Sequence, residues 1–283
     1  MADPARRLAA NAAGALFVDS SCIDCDACRQ LAPATFAERG AYSAVVAQPR
    51  DDMQTAAALR ALVACPVGAI GDGEHRSVRE ATAAFPLAID GPVSYLGFNA
   101  RASYGANAYL LEHAGGNWMI DSPRWTPSLV RSLEARGGLR YVFFTHRDDV
   151  ADAARFAAHF GAQRIIHARD RSAQPDAEIV VDGEDAIAFG DVTVIPTPGH
   201  TRGHCVLHHR TYLFSGDHLA WDRDTESLTA HPDVCWYDWR TQLRSVEKLT
   251  AYDVEWLLPG HGERIRLERE TMRAAIAGVV RRG

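Results

Sequence analysis

From about residue 91 onward, apolar residues come in short runs that end at polar or glycine-rich breaks, and the period of each run decides its element. "NAYLLEH" and "NWMIDS" read as two strands joined by Gly115-Gly116. "TPSLVRSLEARGG" has helical spacing, with Thr126 as its cap and glycine at its end. "LRYVFFTH" is a buried strand, and "DDVADAARFAAHFGA" predicts a helix with acidic residues at its start. "RIIHA" adds a short strand. "AFGDVTVIPTPGHTRGHCVLHH" and "TYLFSGDHLAW" follow, then a helix around 238–250, the segment "VEWLLPGHGE" and a C-terminal helix. Strands alternating with helices or loops predict a layered α/β domain over residues 91–283. Residues 73–90, with charges, alanines and Pro86, read as a linker after a small N-terminal domain at 15–72.

Composition then removes several function classes. The chain has 283 residues, is 47% hydrophobic and carries a formal net charge of −6. That charge argues against nucleic acid as a partner, because such binding needs basic surface to displace counterions. Lys248 is the only lysine among many arginines, a bias with no functional content. No apolar run approaches the roughly 20 residues that cross a bilayer, so no membrane association is expected. The N-terminus lacks a strong apolar core of the signal-peptide kind, so a cytoplasmic location is expected.

Four of the six cysteines form a pattern. Cys22, Cys25 and Cys28 stand in "CIDCDAC", and Cys65 opens "CPVGAI". Three cysteines at two-residue gaps followed by a remote Cys-Pro is iron–sulfur spacing, whereas zinc sites bring two separated pairs. Ala32, before Pro33, stands where a two-cluster protein would have another cysteine. Residues 15–72 therefore resemble a bacterial ferredoxin with one cluster. The resemblance implies a small α+β fold and a [4Fe-4S] cofactor on Cys22, Cys25, Cys28 and Cys65. Cys205 and Cys235 stand alone beside apolar residues and read as small buried hydrophobes.

In the larger domain, polar residues emerge just where apolar runs stop. His146 ends "FFTH", His200 lies in "PTPGHTRG", Asp217 in "FSGDH" and His261 in "LLPGHGE". These motifs, with "NAYLLEHAGGNWMIDS", occur in the order found in metallo-β-lactamase-fold proteins, which the domain resembles. The resemblance implies an αββα sandwich with metal at one sheet edge. The chain departs from the family at H-x-H-x-D-H: Asp148 holds the second ligand position, and Val150 and Ala151 replace the ligands of a second metal. A local shift would recruit Asp149 or Asp152.

What remains is His146, His200 and Asp217, two imidazoles and a carboxylate, the facial triad of mononuclear non-haem iron. The persulfide dioxygenase branch of the family has a similar set. The expectation is one metal, Fe(II) or alternatively Zn(II), with Asp148 or Asp149 as fourth ligand and His261 nearby. Asp148, Asp149 and His261 are the candidates for catalysis. His113, His159, His208 and His209 read as hydrogen-bonded residues, and His204 and His218 as groups behind the ligands or in the cleft.

A cluster that shuttles single electrons has an immediate use beside redox-active iron. The leading expectation is thus an iron-dependent oxidoreductase or oxygenase, fed by a soluble reductase or ferredoxin and acting on a small molecule. The alternative is a mononuclear zinc hydrolase of thioesters, esters or lactams with a structural or regulatory cluster. A third reading is a non-catalytic electron carrier or redox sensor with a degenerate site. Trp236, Tyr237 and Trp239 wall the cleft or fill a core, and Arg101, Arg147 and Arg202 could meet a carboxylate. The resemblance also raises self-association as a homo-oligomer.

Overall fold

Short apolar strands close a small layer before the longer sheets begin. In the computed structural model, which describes residues 2–283, the chain folds as two units. The first takes the chain through Leu139 together with Ala151–Phe160; the second takes Arg140–Val150 and Gly161–Gly283.

The first unit begins with β1 (Leu16–Val18), α1 (Ala27–Leu31), β2 (Phe36–Arg39), β3 (Tyr42–Val45), α2 (Asp52–Ala64) and β4 (Ile70–Asp72). Asp51 caps α2 by accepting from Gln54 N–H. β1 and β4 run antiparallel, with Leu16 opposite Asp72 and Val18 opposite Ile70. That pairing brings Cys65 back to the three early cysteines. Leu16, Phe36, Val45, Ala58, Ala61 and Ile70 fill the core between the helices and these strands. Fully burying a side chain such as Phe36 contributes about 1.5–3 kcal/mol.

The same unit continues through α3 (Arg79–Ala83), β5 (Leu87–Asp90), β6 (Val93–Tyr95), β7 (Tyr109–Leu111), β8 (Trp118–Ile120), α4 (Pro127–Ala135) and α5 (Ala153–Phe160). The segment expected to be a linker thus holds a helix and an edge strand. β5 to β8 form an antiparallel meander. Thr126 caps α4 as its sequence predicts. The predicted helix over "DDVADAARFAAHFGA" starts only at Ala153. Its first residues are diverted: Asp149 turns inward to 1% exposure, and the Asp152 carboxylate accepts from Trp125 N–H instead of opening a helix.

The second unit holds β9 (Tyr141–Phe143), β10 (Gln163–His167) and β11 (Ile179–Val181), paired in parallel. Its larger sheet has the order β12 (Ile187–Phe189), β13 (Val192–Pro196), β14 (Cys205–His209), β15 (Tyr212–Gly216), β18 (Trp256–Pro259) and β19 (Ile265–Arg266). A small hairpin, β16 (Ala220–Asp222) with β17 (Ser227–Thr229), leaves this sheet before α6 (Trp239–Lys248), and α7 (Arg269–Arg282) closes the chain. Ile195, Val206, Leu213 and Leu257 pack with Val246, Met272 and Ile276 of the two helices. β15 and β18 are parallel neighbours, with Gly216 opposite Pro259. Their ends therefore deliver Asp217 and His261 side by side.

Candidate cluster pocket and metal centre

Cys22, Cys25, Cys28 and Cys65 line one small pocket, walled also by Val18, Pro66, Val67 and Ile70. None of the four is in a disulfide. Burial pushes the Cys25 thiol up to about 12 and raises Cys22 and Cys28 as well. Thiols that are hard to ionise in an apolar pocket gain their charge only with a compensating cation, which is the chemistry of a metal cluster.

Donors for those sulfurs are already in place. Asp24 N–H reaches Cys22 Sγ at 3.4 Å, and Ala69 N–H reaches Cys65 Sγ at 3.3 Å. Ser43 donates its backbone N–H to Cys22 and its hydroxyl to Cys28. Asp24 and Asp26 sit in left-handed backbone, φ 56° and 64°, and their carboxylates clamp Arg29 at 2.6 and 2.5 Å. Arg29 in turn donates to Ser43 Oγ at 3.1 Å. The residues present fit a cubane held by four thiolates.

Residues well beyond the cysteine segment complete the pocket. Gly105, at φ +87°, lies so near Cys25 that a Cβ there would stand 2.5 Å from Cys25 Cβ and 2.9 Å from its Sγ. Asn99 is fully buried, donates its backbone N–H to Ala64 O, and holds Gly105 O with its Nδ2 at 2.6 Å. Arg124 donates to Val63 O at 2.5 Å and to Cys65 O at 2.8 Å. The carbonyls leading from α2 into the fourth cysteine are thus satisfied by distant residues.

The metal candidates converge in the second unit, each from a strand end. His146 follows β9, His200 lies in the tight β13–β14 loop, Asp217 follows β15 and His261 follows β18. The Asp217 carboxylate stands 3.7 Å from His146 Nε2, 3.6 Å from His200 Nε2 and 2.9 Å from His261 Nδ1. Ligand atoms of His146, Asp148 and His200 lie within 4.8 Å of one another, as do those of His146, Asp149 and Asp217. The structure thus brings His146, Asp148, Asp149, His200, Asp217 and His261 together, whereas the Asp152 carboxylate is taken up by Trp125 N–H. Asp148 stands half open at the mouth, 3.9 Å from His146, while Asp149 is inside.

Electrostatics prepares the set for a cation. Burial lowers the His146 imidazole to about 3, against the pull of Asp217, and lowers His200 in the same way. Both rings are thus neutral with lone pairs available. Their Nε2 atoms are buried and no hydrogen-bond partner reaches them among the described residues. Burial alone would raise Asp217, but His261, His146 and His200 hold its carboxyl well below the usual range. Orphaned imidazole nitrogens around an ionised carboxylate fit a divalent metal.

Comparison with known proteins agrees with this geometry. Residues 18–72 match the "4Fe-4S single cluster domain of Ferredoxin I", and residues 104–261 match the "Metallo-beta-lactamase superfamily". The chain belongs to the metallo-beta-lactamase superfamily. A hydroxyacylglutathione hydrolase from Acidiphilium cryptum is 37% identical over 123 residues, 42% of this chain and 48% of that protein. A second, from Anaeromyxobacter dehalogenans, is 32% identical over 127 residues, 43% of this chain and 49% of that protein. The chain spans about half the length of these curated relatives.

Solved structures share the fold. The DIM-1 metallo-beta-lactamase exposed to ceftazidime superposes with a TM-score of 0.54 at 17% identity, over 69% of this chain and 95% of that one. A metallo-beta-lactamase from Hirschia baltica gives 0.52 at 15% identity, over 69% and 96%. The N-terminal small domain and the αββα class expected from the motifs stand. The likenesses reach the superfamily and do not single out its persulfide dioxygenase branch.

Further histidines and aromatic rings surround the candidate ligands. His204 and His218 are fully buried and stack at 4.1 Å, with His204 also stacked 5.5 Å from His146. They are groups behind the ligands, not cleft residues. Trp236 and Tyr237 are 62% and 42% exposed, so core packing is excluded for them. Trp236 sets its ring edgewise to His200 at 6.5 Å, and Arg202 lies over Tyr237 at 5.1 Å. Cys205 is the buried hydrophobe expected, whereas Cys235 is half-buried with its thiol on Gly199 O. His159 pairs with Glu134, and His208 and His209 with backbone carbonyls. Asn99, Gly105 and Arg124 escape a sequence reading because nothing local marks them. No helix among the described residues is long and apolar enough to cross a membrane.

Proposed function

We propose that the protein is a metal-dependent hydrolase of a small thioester, with its [4Fe-4S] cluster in a structural or regulatory role. The observation that carries this is the convergence of His146, Asp148 and His200 with Asp149, Asp217 and His261 around neutral imidazoles. The similarity to hydroxyacylglutathione hydrolases supports the substrate class and moves the balance from the oxidoreductase that the facial triad suggested.

His146, His200 and Asp217 would hold the metal, with Asp149 within reach of His146 and Asp217 and with His261 Nδ1 2.9 Å from the Asp217 carboxylate. A divalent metal there supplies a Lewis acid and an activated water. The remaining work belongs to the chain. Trp236 walls the mouth beside His200, and Arg202, held on Tyr237, presents a guanidinium to an anionic substrate. Asp148, at the mouth, is placed to take the proton of the attacking water. The water oxygen bonds to the acyl carbon, the carbon–sulfur bond breaks, and the thiolate leaves with the proton.

The iron-dependent oxidoreductase remains as a second reading, on the His146, His200 and Asp217 triad alone. One experiment separates them. Anaerobically purified protein is analysed for iron, zinc and sulfide and offered a hydroxyacyl-glutathione thioester, beside His200→Ala. Hydrolysis by the wild type, with a zinc lost together with activity in His200→Ala, is the expected result. An extra iron without thiol release would favour the oxidoreductase, and no metal beyond the cluster would sink both.

A further inference from the structure

Three donors from two loops converge on one buried carboxylate, that of Asp170. Asp170, 1% exposed, lies in the turn just after β10. Its Oδ2 accepts from Arg147 N–H at 3.1 Å and from Thr201 Oγ1 at 2.6 Å, and its Oδ1 accepts from Gly203 N–H at 3.0 Å. Arg147 lies between His146 and Asp148, Thr201 follows His200, and Gly203 precedes His204. The turn and the glycine are mutually shaped: a Cβ on Gly203 would stand 2.7 Å from Asp170 Cγ.

We infer that Asp170 is the positioning residue of the metal centre, holding the loop of His146 and the loop of His200 in one register through a single carboxylate. The inference rests on the proposed metal centre. Two loops that close far apart in sequence need a common anchor if two imidazole nitrogens are to meet one ion. Outer groups of this kind set the direction of ligands and hence affinity. The partners of Asp170 are two backbone amides and a hydroxyl from the two ligand loops, so one carboxylate ties both together. Charge-assisted bonds to it are stronger than neutral ones, so the loops are held stiffly before metal arrives.

The test uses the full chain with its cluster in place. Asp170→Asn keeps shape but removes the charge and one acceptor; Thr201→Val removes a single bond, and Thr201→Ser restores it. Zinc affinity is read by competition with a chromophoric chelator, and ligand geometry by the visible spectrum of the cobalt(II) form. Asp170→Asn should bind zinc about 10–100-fold more weakly, with an altered cobalt spectrum, Thr201→Val less so, and Thr201→Ser like the wild type. A merely structural carboxylate would lower thermal stability and leave both metal readouts where they were. Zinc affinity within twofold of wild type in Asp170→Asn, with the same cobalt spectrum, overturns the inference. If Asp170→Asn does not fold, the Thr201 pair decides by the same readouts. A wild type that takes no metal beyond its cluster would instead overturn the functional reading, and this inference with it.

Discussion

Gly105→Val will yield protein lacking most of its [4Fe-4S] cluster, seen as loss of iron, sulfide and the visible absorbance of the purified protein. Two effects add at this position. The backbone is left-handed at φ +87°, a region that β-branched residues avoid. The new Cβ alone would overlap Cys25 Cβ and Sγ at 2.5 and 2.9 Å and crowd Pro66 at 3.1 Å. Overpacking of this kind costs about 1–3 kcal/mol before the strained backbone is counted. The collision falls on a cluster ligand, so Cys25 must move and the fourfold set of sulfurs opens. Gly105→Ala should give a milder loss in the same direction. Full cluster content in Gly105→Val would show that this loop does not close on Cys25 in solution.

Acid will separate the wild type from His218→Phe. Burial pushes the His218 imidazole down to about 3, and the ring stacks on His204 in a fully enclosed layer. In the unfolded chain the same imidazole protonates near pH 6.5. Between about pH 6.5 and 3 the unfolded state therefore binds the extra proton, and stability contributed by this site falls as pH falls. Phenylalanine keeps an aromatic ring in the stack and has no proton to bind. The stability of His218→Phe relative to wild type should rise on acidification, by up to about 1.4 kcal/mol per pH unit in that window. Both proteins are compared after the same chelator treatment, so any acid loss of the cluster is common to them. A stability difference that stays constant from pH 7 to 4 would mean that His218 protonates normally in the folded state.

The cluster pocket is tied to residues far along the first unit. Arg124 binds Val63 O and Cys65 O, while the next residue, Trp125, gives its N–H to Asp152 at 2.6 Å. The cysteine segment is therefore bound into the unit that carries β5 to β8. Loss of the cluster should loosen that unit.

Local pattern alone determined much of this protein. Cys22, Cys25, Cys28 and Cys65 declare a cluster because cubane geometry demands short, fixed spacing, and that spacing lies along the chain. His146, His200, Asp217 and His261 stand out because each ends an apolar strand, and strand ends converge at a sheet edge whatever the details between. Tertiary structure alone decided which acidic residue turns inward: Asp148 and Asp149 are adjacent in sequence, yet only Asp149 is enclosed, because the chain breaks from a helix there and Asp152 is drawn to Trp125. It also decided the roles of Gly105, Asn99, Arg124 and Asp170. Each meets residues far away in the chain, and such contacts leave no periodicity or spacing in the residues beside them.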